Sequence, residues 1–239
     1  LTEKLSDLQS INDLGVLNIE FVTNFLLRDA KWSESHQADA ESKYLGVGLL
    51  YYALVYILRA KLCVCLGSGG GFVPRMMKQA QRDLGMENGK TILIDANMGP
   101  YGKPAWLSEN SFFRSQFSDI QLIFDTTEKA VENAEAKNWK IDYLHIDADH
   151  SHAGSLKDFE NYKELMSPNG VITFHDTKPN NYPIVTCWKT LDDIRKQGHN
   201  VVDLPWLGAG TAIIQLARDC SELNTSENWQ LKTPVAFFI

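Results

Sequence analysis

From Lys61 onward the chain alternates short, almost wholly apolar runs with amphipathic stretches, and this alternation limits the fold more than any other feature. The apolar runs at 62–66, 91–94, 120–124, 141–146, 171–174, 201–204 and 212–216 have strand length. Between them, 73–84, 127–137, 155–166 and 187–196 carry helical spacing. Strands that are apolar at nearly every position are buried on both faces, as in a parallel sheet covered by helices on either side. The link 205–211 is too short for a helical crossover, so the last two strands pair antiparallel. The expected fold is therefore α/β: a doubly wound, mostly parallel seven-stranded sheet with the last strand antiparallel. No repeat or Pro/Ser-rich linker divides it. We read a helical extension over 1–60, one domain over 61–217 and a tail over 218–239. Local punctuation agrees. Pro74 falls in the first turn of its helix and Gly85 just past the end. Ser155 with Asp158 reads as a capping box. Ser167-Pro168-Asn169-Gly170 reads as the turn into the next strand.

Composition narrows the partners. Lys+Arg 23 against Asp+Glu 30 gives a net charge of −7 over 239 residues, which opposes a grip on nucleic acid. With 44% hydrophobic residues the chain can offset its ordering entropy, so disorder is excluded as the main state. The most apolar stretch, 45–58, is shorter than the ~20 residues of a membrane span and reads as a buried helix. The start shows no basic and apolar leader pattern, so no signal peptide and no membrane partner are expected. Cys63, Cys65, Cys187 and Cys220 make no metal-ligand pattern and read as reduced, which points to the cytoplasm. The apolar helix and the end Val235-Ala236-Phe237-Phe238-Ile239 offer surface either to the domain or to a second copy, and a homodimer is the commoner outcome.

The first strand runs directly into Gly67-Ser68-Gly69-Gly70-Gly71 and then a helix. At the carboxyl end of a parallel strand such a turn lets a ligand approach backbone N–H groups. A dinucleotide fingerprint would need glycine where Phe72 stands, which weakens a nicotinamide reading. Asp95 ends the second strand, where a carboxylate can accept both hydroxyls of a ribose; with the turn it makes a nucleoside site. Here the chain resembles the class I S-adenosylmethionine-dependent methyltransferases, through CLGSGGG at 65–71, LIDA at 93–96 and the strand ends that follow, over roughly 45–216. The resemblance implies a Rossmann-like fold. It also implies that Gly67, Ser68 and Gly69 line the methionine and ribose portions of the cofactor, that Asp95 and Ala96 meet the ribose, that Asp125 lies near the adenine and that Asp147 borders the donor. The family often carries an acidic residue where this chain has Cys65.

His145-Ile146-Asp147-Ala148-Asp149-His150-Ser151-His152 closes the fourth strand and His175-Asp176 the fifth; together they hold four of the six histidines. Both strand ends face the same sheet edge as the glycine turn, where carboxylates can hold a hard divalent ion. His145 reads as a core histidine and His152 as a solvated helix-start residue. The run IDADHSH, a helix and PNGVITFHD resemble the branch holding macrocin-type sugar O-methyltransferases and cephalosporin hydroxylase-like proteins. That branch implies a magnesium-type metal at Asp147, His175 and Asp176, and His150 as general base. His175 replaces an acidic ligand, and imidazole suits transition ions better than magnesium. Asp149 is either a partner orienting His150 or a ligand itself. The implied activity is methyl transfer to a hydroxyl of a small-molecule acceptor with neighbouring hydroxyls, a sugar or glycosylated natural product. The polar, aromatic segment 97–119, with Tyr101, Trp106, Phe112 and Phe113, is the expected lid. Two alternatives stand beside this: a hydroxylase-like iron enzyme that enlists His150 as a ligand, and a non-catalytic nucleoside-binding protein.

Overall fold

Seven strands, β1 (Leu62–Leu66), β2 (Lys90–Ile94), β3 (Ile120–Ile123), β4 (Ile141–Ile146), β5 (Met166–His175), β6 (Asn200–Leu204) and β7 (Thr211–Gln215), form one sheet in the order β3-β2-β1-β4-β5-β7-β6. This computed structural model describes residues 18–96, 105–133 and 136–217. The five strands β3 to β5 of that order run parallel, and β7 lies antiparallel to both β5 and β6. The chain leaves β1 outward to β2 and β3, then returns to β4 on the other side of β1. That reversal is a topological switch point, and it opens a crevice at the carboxyl ends of β1 and β4.

Alternate residues of each strand feed opposite layers. Cys63 and Cys65 of β1 pack with Tyr143 and Leu93 toward α2 (Gly48–Leu58) and α3 (Phe72–Asp83). Val64 and Leu66 pack with Ile92, Leu144 and Phe174 toward α6 (His152–Lys163) and α7 (Thr190–Lys196), where Phe159, Tyr162, Leu191 and Ile194 close the second core. The apolar run at 45–58 is thus a helix of the first layer, with Tyr51, Tyr52 and Val55 buried against the sheet. Two shorter helices, α4 (Phe112–Gln116) and α5 (Thr127–Glu132), flank β3. Among the described residues no helix is long and apolar enough to cross a membrane.

Strand boundaries fall within a residue or two of those read from sequence except at β5. There Met166 sits opposite Ile141 and Val171 opposite Tyr143, so the Ser167–Gly170 turn bulges out of the ladder. The helix expected over 127–137 ends at Glu132. The capping box expected at Ser155 and Asp158 is replaced by Ser151, whose hydroxyl accepts the Gly154 N–H at 3.0 Å. Ser155 instead donates into the helix at Ser151 O, 2.7 Å, and lies 2.7 Å from Thr190 Oγ1. Asp158 is buried and accepts from the Thr127 hydroxyl.

The N-terminal segment covers the sheet's carboxyl edge. A short helix α1 (Ile19–Phe21) continues as a π-helical turn over Val22–Leu26, and a 3-10 turn follows at Ser33–His36. Arg75 of α3, fully buried, donates from Nη1 to the carbonyl oxygens of Phe25, Leu26 and Arg28. These are carbonyls left over at a helix end, and the guanidinium supplies their partners. The expected lid is largely wall. Trp106 and Phe113 are buried and packed edge to face, with centroids 5.0 Å apart, against Gly71 and Arg75. Phe112 is half-buried beside Phe25, and Tyr101 lies outside the described residues.

Candidate functional site

The glycine turn opens at the switch point. Gly67 and Gly69 take φ of +67° and +59°, a region that disfavours side chains. Close approach adds a second constraint. A Cβ on Gly67 would lie 2.4 Å from the Asp147 carbonyl oxygen, one on Gly69 3.0 Å from the Trp32 ring, and one on Gly70 2.0 Å from the Lys31 carbonyl oxygen. The turn is therefore pressed between the end of β4 and the N-terminal segment. Ser68 is buried here, and its Oγ has no protein partner. Asp95 and Ala96 follow β2 at the same edge and are half-buried. Asp125 follows β3 and accepts the Thr126 N–H at 2.8 Å. Cys65, at the position usually acidic in the family it resembles, is buried and donates to Gly67 O at 3.0 Å.

The second half of the site is built by β4 and β5. Asp147 N–H donates to Leu66 O at 2.8 Å, which fixes the Asp147 backbone against β1. Its carboxylate Oδ1 lies 3.1 Å from His175 Nδ1. Asp176 takes a left-handed backbone, φ +57°, and its Oδ2 pairs with His150 Nδ1. A non-glycine residue in that region costs of order 1–3 kcal/mol and persists only where its surroundings hold it. Here the Cys187 thiol, donating to Asp176 O at 3.0 Å, and the N–H groups of Thr186 and Cys187, donating to His150 O at 2.8 and 3.0 Å, do so. The Asp149 carboxylate adds to the charge that raises His150. It accepts the Ser151 N–H at 2.8 Å and shapes the entry to α6. His152 opens α6 and lies 2.7 Å from Asp193.

These placements divide the imidazoles electrostatically. The hydrogen bond to Asp176 pushes His150 up to about 9 against the burial that opposes it. Burial pulls His145 down to about 4, and burial with the neighbouring His175 pulls His36 well below the usual histidine range. Burial opposes ionisation of Asp147, yet His175, then His150 and His145, hold it well below the usual carboxylate range. Burial also lowers His175, but Asp147 outweighs it and the net direction is up. His150 is the basic imidazole of the cluster; His145 and His36 are neutral ones.

Every site residue read from sequence reaches this one edge. Sequence reasoning missed His36, whose ring stacks on His175 with centroids 3.9 Å apart. It also missed Arg75, which holds the segment carrying His36. A lone histidine in the polar run SESHQADAES carries no local signal. Ligand atoms converge in two groups, within 4.8 Å of one another: His36, Asp147 and His175, and Asp147, His150 and Asp176.

Uncharacterized protein y4gI of Sinorhizobium fredii is 29% identical over 169 residues, 68% of this chain, while the chain spans 18% of that relative's length. Among solved structures, the O-methyltransferase from Bacillus cereus in complex with SAH has a TM-score of 0.57 and 15% identity over 90% of this chain and 96% of that one. SAH-bound PaMTH1 of Podospora anserina has a TM-score of 0.57 and 16% identity, over 91% and 95% of the two chains. TomG of Streptomyces achromogenes, in complex with SAM, has a TM-score of 0.54 and 13% identity, over 90% and 95%. At these identities the likeness is one of fold, and the Rossmann-like sheet expected from sequence is the one they share. Residues 64–177, which run from β1 through the glycine turn to Asp176, match the family model described as a methyltransferase domain.

Proposed function

We propose that the chain is an S-adenosylmethionine-dependent O-methyltransferase acting on a hydroxyl of a small molecule, a sugar or glycosylated natural product with neighbouring hydroxyls. One observation carries the reading: the glycine turn packs directly on the Asp147 backbone, three residues before His150 of the His150–Asp176 pair. A donor site and a proton acceptor thus share one crevice. The unpartnered, buried Ser68 Oγ supports a polar ligand in the turn. Gly67, Ser68 and Gly69 would take the methionine and ribose portion, Asp95 and Ala96 the ribose, Asp125 the adenine side, and Asp147 the reactive end.

The bound donor supplies a methyl group that is already activated for transfer. The chain's part is to align the acceptor and remove its proton. Held at about 9 by Asp176, His150 is an imidazolium at neutral pH, so it acts as base in its neutral form, whose share rises up to about pH 9. That form receives the proton on the ring nitrogen that does not face Asp176, and the carboxylate steadies the imidazolium formed. Such base catalysis typically contributes about 10²- to 10⁴-fold. The segment 29–36 over the turn excludes water from the donor side.

The divalent ion expected at Asp147, His175 and Asp176 stays within the proposal, but magnesium is a poor fit. Magnesium takes oxygen ligands. Here each of the two carboxylates faces an imidazole, and His36 and His145 add two more rings beside Asp147. Proton removal is accordingly assigned to His150 and Asp176 alone. The imidazole-rich surroundings are also what favours the second reading, a hydroxylase-like metal enzyme on the same scaffold. A cytoplasmic setting is supported by the free, buried thiols of Cys63, Cys65 and Cys187. A homodimer is supported by Leu49 and Ile57, exposed on the outer side of α2.

Calorimetry with S-adenosylmethionine and its demethylated product tests binding; labelled methyl transfer over a panel of vicinal diols tests catalysis. His150→Ala is expected to cut turnover about 10²- to 10⁴-fold with donor Kd unchanged. Undiminished turnover removes His150 as the base, turnover that requires oxygen favours the hydroxylase reading, and donor binding with no transfer favours a binding protein.

A further inference from the structure

We propose that His36, His175 and Asp147 form a buried site for a divalent transition-metal ion, with His145 of β4 beside Asp147. The site draws on three parts of the chain: the 3-10 turn over the sheet edge, β4 with its end, and the end of β5. One ligand atom from each of His36, Asp147 and His175 lies within 4.8 Å of the others. His36 and His175 are only 2% and 5% exposed, and Asp147 has a side chain 9% exposed, so water is excluded from most of the pocket.

Two of the rings are oriented by partners on their far nitrogens. His36 Nδ1 lies 3.1 Å from the Tyr51 hydroxyl, and that hydroxyl lies 3.4 Å from Thr211 Oγ1. His145 Nδ1 lies 2.8 Å from Thr173 Oγ1, which in turn lies 2.9 Å from the Tyr143 hydroxyl. Metal-bound histidines characteristically have the second nitrogen held in this way, fixing tautomer and ring plane. An independent sign of a ligand is the other nitrogen of His145. Its Nε2 is completely buried, has no partner, and stands 4.0 Å from Asp147 Oδ2. A buried polar atom without a partner is destabilising, and an ion or a metal-bound water at the centre of the group would supply one.

The donor chemistry selects the ion class. Imidazole nitrogens with one carboxylate suit Zn²⁺, Fe²⁺ or Co²⁺, whereas magnesium and calcium require oxygen shells. The backbone around His36 is held for the purpose. Trp32 and Gln37 bracket the turn at φ +63° and +59°, the Ala209 N–H donates to Ser35 O at 2.8 Å, and the Val47 N–H donates to His36 O at 2.8 Å. An ion here ties the N-terminal segment to the strands that carry the glycine turn and the His150–Asp176 pair. The proposal does not rest on the methyl-transfer reading, since binding is measured without donor or acceptor.

The test uses the whole chain, freed of metal with a chelator and titrated with Co²⁺. One equivalent is expected to bind with visible ligand-field absorption, and X-ray absorption at the cobalt edge is expected to show scattering from at least two imidazoles. Excess Mg²⁺ leaves the spectrum unchanged, and Zn²⁺ abolishes it. His36→Gln removes the spectrum. Tyr51→Phe weakens binding about 10- to 100-fold. His150→Gln leaves the cobalt affinity as it was. Cobalt held by oxygens alone, equal affinity in His36→Gln, or affinity lost in His150→Gln instead would each overturn the proposal. If circular dichroism shows His36→Gln to be unfolded, the imidazole count in the wild-type edge spectrum decides. Calorimetry with S-adenosylmethionine on the same preparations separates the two readings: donor binding without a cobalt site sinks only this one, and a cobalt site without donor binding sinks only methyl transfer.

Discussion

Replacing Arg75 with Met tests whether one buried guanidinium fastens the segment that covers the cofactor edge. Arg75 Nη1 donates to three carbonyl oxygens at the end of the α1 helical turn, while Nε and Nη2 are buried without partners. Unpairing buried carbonyls costs about 1–3 kcal/mol each, so losing this donor costs roughly 3–6 kcal/mol if two or three are left dry. The opposite entry is also readable. Burial pulls Arg75 down to about 10, which corresponds to about 3 kcal/mol of desolvation that an apolar side chain does not incur. Met also keeps the apolar stem against Phe113 and Phe117, over which the guanidinium now lies at 5.4 and 5.5 Å. The two sides nearly cancel, so the global denaturant midpoint is expected to move little, by the equivalent of about 0–3 kcal/mol. The local effect does not cancel, because the freed carbonyls find water only if residues 18–36 lift from the sheet. Amide hydrogen exchange read by mass spectrometry is therefore expected to show loss of protection over 18–36 while the strands keep theirs. Unchanged protection in that segment, or a collapse of protection across the whole sheet, would refute the reasoning.

Gly67→Ala combines a φ of +67° with a Cβ 2.4 Å from the Asp147 carbonyl oxygen, and overpacking of that kind costs about 1–3 kcal/mol before the backbone term is added. A urea midpoint equal to wild type would contradict it. Asp158→Asn tests a buried carboxyl. Burial pushes Asp158 up to about 6, above its ordinary 3.8, so the folded state binds the proton more tightly; that contribution is complete below about pH 4 and is lost as pH rises through 6. The Asn variant is expected to gain up to about 3 kcal/mol over wild type at pH 7 and nothing at pH 4. A stability difference that stays constant over that range is the failing result.

The sheet was legible because its physics is local. A strand buried on both faces must be apolar at every position, and Leu62–Leu66 and Ile141–Ile146 were read with the boundaries observed. The antiparallel pairing of β6 with β7 follows from a linker too short to cross over. Helix starts were less legible where two signals competed. Ser151 and Ser155 both stand at cap-like spacing before the apolar face of α6, and Asp149, by accepting the Ser151 N–H, decides for the earlier one. The segment 105–117 misled for a different reason. Trp106 and Phe113 have the composition of a lid, but their burial depends on Gly71 leaving room beneath them, which no feature of their own segment records.

The site shows where locality ends. Asp147, His150, His175 and Asp176 were readable because each closes a strand, and in a parallel sheet all strand ends with this polarity meet at one edge. His36 closes no strand and follows no period. It reaches His175 across 139 residues of sequence because Arg75 and Ser35 bind its segment to α3 and to the loop before β7. The same fact bears on chemistry. Counted from strand ends alone, the edge holds two carboxylates and two outward imidazoles, and the choice of ion stays divided. Once the fold adds His36 and leaves His145 Nε2 unpaired beside Asp147, nitrogen donors outnumber carboxylates, which is what the transition-ion proposal rests on. If the proposed ion binds, chains that share these strands but lack a histidine in the covering segment are expected to bind Co²⁺ more weakly, which the same titration measures.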